Sequence, residues 1–135
     1  MGKKRVLVDT SAWIAALRPS GVKEVKEKIE VLLGENCIAI SGIIKLELLS
    51  GTRTNKEYQE LSEDLEGLHY IPTDENIWRY SYRLSQDSKK AGLNIPATDL
   101  LIASIAITAG CELMHLDKHF TLLSRCSSLQ IMGLK

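Results

Sequence analysis

Short continuous apolar runs alternate along the chain with stretches whose apolar residues recur every three or four positions. Val6-Leu7-Val8, closed by Asp9-Thr10-Ser11, has the β-branched character of a strand buried inside a parallel sheet. Trp13 to Leu17 reads as a short helix stopped near Pro19 and Gly21. Val22, Val25, Ile29, Leu32 and Leu33 keep helical intervals, with Gly34 as the stop. Cys37 to Ile40 reads as a second strand, Ser41-Gly42 as a turn, and Ile43 to Leu49 as a helix ending near Gly51.

The second half repeats the alternation. Thr54-Asn55-Lys56-Glu57 is a capping-box pattern that opens a helix with Tyr58, Leu61 and Leu65 on one face, ended by Gly67. His69-Tyr70-Ile71 is a weak strand. Thr73 or Asp74 caps a long helix through Ile77, Trp78, Tyr80, Ser81 and Leu84, ending near Gly92. Pro96 opens another helix, Ala97 to Ala109, closed by Gly110. Leu113 to Leu116 reads as a strand with Asp117 at its end, followed by a helix from Lys118 to Ser124 and a last strand, Leu129 to Met132. No hairpin signal interrupts the order, so the expected fold is α/β, with parallel strands joined by crossover helices. The 135 residues show no linker, repeat or low-complexity segment, and one domain over 1–135 is the expectation.

Composition narrows the class. Apolar residues make up 44% and aromatic ones 5%, which calls for an aliphatic core. Lys plus Arg and Asp plus Glu number 17 each, a neutral balance that speaks against a protein that coats nucleic acid. It permits an acidic centre with local basic patches. The three cysteines, Cys37, Cys111 and Cys126, match no zinc spacing and fit a reducing compartment. No run suits a signal peptide or a spanning helix, so a cytoplasmic protein is expected.

The candidate chemistry lies in Asp9, Glu47, Asp99 and Asp117. In an open parallel sheet, sites form beyond the carboxyl ends of the strands, near the switch in strand order. Asp9 and Asp117 each follow an expected strand. Glu47 lies one turn into the helix that leaves Cys37 to Ile40, and Asp99 lies in the first turn behind Pro96. Each has an ordinary alternative. Asp is favoured in turns, Asp99 suits a helix start, and Glu47 either faces solvent beside Lys45 or points at something cationic. Together they make an oxygen-only cage. Such a cage suits Mg²⁺ or Mn²⁺, whereas crowded carboxylates without a cation keep protons.

Val6-Leu7-Val8-Asp9-Thr10-Ser11-Ala12-Trp13, Glu47-Leu48-Leu49-Ser50-Gly51, Ile95 through Ala103 around Asp99, and Leu116-Asp117-Lys118-His119-Phe120 occur in this order over the whole chain. In these residues the chain resembles the PIN-domain ribonucleases, most closely the VapC-type toxins of VapBC toxin–antitoxin systems. The resemblance implies a Rossmann-like three-layer α/β/α fold and an endoribonuclease dependent on Mg²⁺ or Mn²⁺. It assigns Asp9, Glu47, Asp99 and Asp117 as both catalytic and metal residues, and gives Ser11 a supporting role, hydrogen-bonding a carboxylate or a water of the metal. It also implies a homodimer, an RNA substrate and inhibition by a VapB-like antitoxin whose Arg enters the acidic pocket. Two positions depart from many relatives: Ile44 and His115 stand where those carry Thr.

The mechanism expected from this set has Asp9 and Asp99 holding the cation, Asp117 completing the cage and Glu47 directing the attacking water. The products are then a 5′-phosphate and a 3′-hydroxyl. Lys3, Lys4, Arg5, Arg18, Arg53, Lys89, Lys90, Lys118 and Arg125 are the cations available to an RNA backbone. Arg53 and Lys118 are the better phosphate candidates, because they follow acidic motifs closely. His115 reads first as a satisfied histidine at a strand edge, and His119 as a phosphate or water contact. Trp13 reads as packing before base stacking. A haloacid-dehalogenase-type phosphatase wants a second Asp where this chain has Ser11, and a receiver domain explains neither Glu47 nor Asp99. An inactive PIN-fold module for binding RNA or protein, and a PIN nuclease of RNA maturation, are the alternatives within the fold.

Overall fold

Val6–Val8 forms strand β1, and its three side chains are buried on both faces of a sheet, as the unbroken apolar run requires. The computed structural model describes residues 4–133. Lys3, among the cations considered above, lies outside them.

Five parallel strands build the sheet: β1, β2 (Ile38–Ser41), β3 (His69–Ile71), β4 (Glu112–Met114) and β5 (Gln130–Ile131), in the order β3-β2-β1-β4-β5. The register sets Leu7 beside Ala39 on one side and Leu113 on the other. The chain builds outward from β1 through β2 to β3, then returns to place β4 on β1's free side. The switch point of this doubly wound order therefore falls between β1 and β4.

Seven helices cover the sheet in the three-layer α/β/α arrangement: α1 (Thr10–Leu17), α2 (Lys23–Gly34), α3 (Gly42–Ser50), α4 (Asn55–Glu66), α5 (Glu75–Lys90), α6 (Ala97–Ala109) and α7 (Lys118–Cys126). Helix α6 is the most buried, with Leu100 through Ala106 in the core, and α5 packs along it through Ile77 and Leu84. Pro96 and Gly110 bound α6 as expected, Gly110 closing it at φ 70° in the left-handed region. Thr54 caps α4 by accepting the Glu57 N–H at 3.1 Å. Glu57 returns the bond one residue early, accepting the Arg53 N–H at 3.0 Å.

Several boundaries differ from the sequence reading, each for a local reason. Asp9 is the N-cap of α1, so that helix starts at Thr10. Gly34 stays inside α2, and the chain turns at Asn36, whose φ of 54° an Asn side chain tolerates. Ser41 ends β2 and is also the N-cap residue of α3, without a side-chain capping bond, which leaves no separate turn at Ser41-Gly42. An added Cβ at Gly42 would stand 3.0 Å from the Tyr70 hydroxyl of the neighbouring strand, a close contact that the exposed Tyr70 side chain can relieve by shifting. Asp74 caps α5, accepting the Ile77 N–H at 3.0 Å. Strand β4 stops at Met114, two residues before its apolar run ends, because the backbone beyond is drawn out of the ladder. Helix α7 extends to Cys126, which shortens the last strand to Gln130–Ile131. No helix among the described residues is long and apolar enough to cross a membrane.

Candidate active site

The switch point brings Asp9 and Asp117 to one edge. The Asp9 N–H continues the β1–β4 ladder by donating to the Met114 carbonyl at 2.9 Å. The residue is 4% exposed, and its carboxylate Oδ2 accepts the Ser11 N–H at 3.1 Å and the Ser11 hydroxyl at 2.6 Å. Neither bond falls on Oδ1. The Ser11 oxygen in turn accepts the Leu116 N–H at 3.1 Å, across 105 residues of sequence. One hydroxyl thus ties the start of α1 to the segment leaving β4 and pulls Leu116 off the sheet.

That segment is held a second time. His115 Nδ1 accepts the Asp117 N–H at 3.0 Å, which assigns the proton of the neutral ring to Nε2. Burial lowers the His115 pKa below its ordinary value, against the opposing charges of Asp9 and Asp117, which keeps Nδ1 an acceptor. The ring packs tilted against Phe120 with centroids 5.2 Å apart, and its Nε2 is buried without a hydrogen-bond partner. His115 is therefore only half satisfied. What it does is shape the loop that carries Asp117.

Asp117 caps α7, its Oδ1 accepting the His119 N–H at 2.9 Å. The His119 ring folds back over this cap. Its Nδ1 lies 3.0 Å from Asp117 Oδ1 and 3.0 Å from Asp99 Oδ2. Asp99 reaches the same place from the first turn of α6. Burial raises the Asp99 carboxyl above its ordinary value, and the charges of Asp117 and Asp9 add to that rise, against the hydrogen bond and charge of His119. Asp99 thus feels the charges of both Asp117 and Asp9 at one edge.

Glu47 arrives from α3. Its Oε1 accepts the Thr10 hydroxyl at 2.8 Å, so the residue after Asp9 holds it toward the same edge. Lys45 turns away to Glu66, at 3.3 Å, which removes the solvent-facing pairing considered for Glu47. Glu47 also lines a groove of about 640 Å³ between α1, α3 and α4, together with Arg18, Thr52 and Arg53. Ile44 is fully buried, so the position where many relatives carry Thr serves the core here.

Among the other cations considered, Lys118 is exposed at the start of α7 beside Asp117. Lys4 and Arg5 precede β1 and stand at the opposite end of the sheet from the carboxylates. Trp13 is 6% exposed with its Nε1 buried, which makes it a packing residue. Sequence reasoning missed the contact of His119 with both aspartates. The signal for the Asp117 half of that contact was the Asp-x-His spacing at a helix start, since a capping Asp and the second helical residue share one turn.

Asp99, Asp117 and His119 offer donor atoms within 4.8 Å of one another. Crowded, partly buried carboxylates, one with its proton affinity raised, fit a divalent cation. Oxygen donors suit hard divalent ions, and the added imidazole widens the choice.

Residues 6–125 match the PIN domain family. The chain is 31% identical over 129 residues to VapC ribonuclease Mb1587 of Mycobacterium bovis, covering 93% of this chain and 96% of that protein. It is 30% identical over 117 residues to Ribonuclease VapC18 of Mycobacterium tuberculosis, covering 84% and 82%. Among solved structures, VapBC2 from Rickettsia felis bound to a DNA fragment from their promoter superposes with a TM-score of 0.77 at 25% identity, covering 94% of this chain and 96% of that one.

Proposed function

This chain belongs to the PIN-domain family, and on that premise we propose that it is a metal-dependent endoribonuclease, the toxin of a type II toxin–antitoxin pair, working in the cytoplasm as a single domain. The observation that carries the reading is the cluster of Asp99, Asp117 and His119 at the switch-point edge of the sheet, with the charge of Asp9 felt at Asp99 and Glu47 turned that way by Thr10. The relatives named VapC ribonuclease and the VapBC complex support the toxin role over RNA maturation. The presence of all four acids supports an enzyme over an inactive module.

Asp9, Asp99 and Asp117 would hold a divalent cation, Mg²⁺ or Mn²⁺, with Glu47 held toward the same edge by Thr10. The chemistry such a cation would supply is polarisation of the scissile phosphate and charge stabilisation at the leaving oxygen. Ser11 fixes Asp9 through Oδ2, leaving Oδ1 for the site. Glu47, positioned by Thr10, orients the attacking water and accepts its proton. Arg53, in the groove with Glu47, and Lys118, beside Asp117, take the RNA phosphates on either side of the scissile bond. A VapB-like antitoxin silences the site by inserting an Arg that pairs with the carboxylates. The active unit is a homodimer.

Cleavage of total RNA by the antitoxin-free protein, with divalent cation and then with chelator, tests this. The expected result is metal-dependent cutting that leaves 5′-phosphate and 3′-hydroxyl ends. A 2′,3′-cyclic phosphate product, or cutting that persists in chelator, overturns it.

A further inference from the structure

His119 reaches two carboxylates from different helices with a single ring nitrogen. Its Nδ1 stands 3.0 Å from Asp99 Oδ2 and 3.0 Å from Asp117 Oδ1. A ring nitrogen offers either one hydrogen or one lone pair in its plane. Carrying the hydrogen, Nδ1 divides one N–H between two carboxylates at equal distance. Carrying the lone pair, it faces two anions. A divalent cation among the three atoms satisfies all of them at once. The spacing suits that role, since neighbouring ligands on an octahedral ion with bonds of about 2.1–2.2 Å lie roughly 3 Å apart.

The placement is built into the backbone. The Asp117 carboxylate that would share the ion also caps the His119 N–H, so both donors are set by one helix start. The next residue, Phe120, is fully buried and anchors that turn in the core. Asp99 comes from a different helix, α6, whose apolar face is buried along its length. The cluster is still open to small ligands, with side-chain exposures of 14% for Asp99, 32% for Asp117 and 26% for His119. His115 is no substitute, because its Nδ1 is already taken by the Asp117 N–H.

Resting on the metal-dependent nuclease reading above, we propose that His119 Nδ1 is a direct ligand of the divalent cation beside Asp99 Oδ2 and Asp117 Oδ1, and that this nitrogen biases the site toward Mn²⁺ over Mg²⁺. Imidazole is a good ligand for first-row transition ions, whereas Mg²⁺ favours oxygen donors and gives up its waters reluctantly. The four-carboxylate cage by itself predicts no such bias.

The test is electron spin-echo envelope modulation on Mn²⁺ bound to the full chain, with ¹⁴N-histidine and then ¹⁵N-histidine incorporated, alongside Mn²⁺ and Mg²⁺ binding isotherms. The expected spectrum carries nitrogen modulation that changes with the isotope and vanishes in His119→Gln. In that variant, Mn²⁺ affinity falls about tenfold or more while Mg²⁺ affinity changes far less. Mn²⁺ bound in an Asp99-dependent manner without nitrogen modulation overturns the His119 ligand and leaves the carboxylate site standing. Modulation that survives His119→Gln but is lost in His115→Asn assigns the nitrogen to the other ring and also overturns it. Absence of Mn²⁺ binding sensitive to Asp99→Asn overturns both this inference and the nuclease reading.

Discussion

Asp9 and Glu47 are held by hydroxyl groups, Asp99 and Asp117 by an imidazole. On the first side, Ser11 and Thr10, two successive residues at the start of α1, each grip one carboxylate at 2.6 and 2.8 Å. A hydroxyl carries no charge, so these contacts fix position and do little else. On the other side, two aspartates from different helices converge on His119 Nδ1. There burial and mutual repulsion raise the Asp99 carboxyl. One half of the edge is a rigid positioning frame, and the other stores the electrostatic stress that a cation relieves. Precision and charge density are thus supplied by separate parts of the fold.

The contrast breaks most visibly at Asp99. Asp99→Asn is expected to lower metal-dependent cleavage by about a hundredfold or more. The same change stabilises the metal-free protein, because it removes a charge the fold disfavours. The sign follows from linkage. The folded Asp99 carboxyl sits above the ordinary value of 3.8, so on raising the pH the unfolded chain loses that proton first. Stability in chelator therefore declines between that value and the raised folded one, and is full below it. Melting temperature followed against pH in chelator should show this decline in the wild type and a flatter profile in Asp99→Asn. Equal slopes would contradict the stressed-half description.

Ser11→Ala attacks the rigid half and should do the reverse, costing stability as well as activity. It removes a hydrogen bond to a buried carboxylate and strips the Leu116 N–H of its partner. A loss of about 2 kcal/mol is expected, read from denaturant midpoints at unchanged slope. A change below about 0.5 kcal/mol would show that the tie between α1 and the segment after β4 is not structural.

Thr10→Val is the mildest break. The shape is kept and only the hydroxyl on Glu47 is lost, so about 1 kcal/mol or less is expected. Its signature is kinetic: kcat falls while KM for RNA stays near the wild-type value, as a group acting on the water rather than on substrate binding requires. A rise in KM alone would place Glu47 in RNA binding instead.

The two halves were unequally legible in the sequence. Unbroken apolar runs announced β1 and β2, Pro96 and Gly110 bracketed α6, and the strand-end rule put Asp9 and Asp117 at one edge. Those features are local or follow from topology. The end of β4 was not readable, because Leu113 to Leu116 is uniformly apolar except for His115, and what peels Leu116 away is the hydroxyl of Ser11. Glu47 was undecided between Lys45 and a cation for the same reason. Its actual partner, Thr10, is 37 residues distant. The contact of His119 with Asp99 spans two helices 20 residues apart in sequence, and no periodicity encodes it.

In the proposed site, carboxylates from separate elements share one cation at the β1–β4 switch point. A crystal soaked in Mn²⁺ and measured at a wavelength giving manganese anomalous signal tests it most directly. One strong peak is expected within ligand distance of the Asp9, Asp99 and Asp117 carboxylates. An ordered manganese elsewhere with that edge empty, at saturating Mn²⁺, would contradict it.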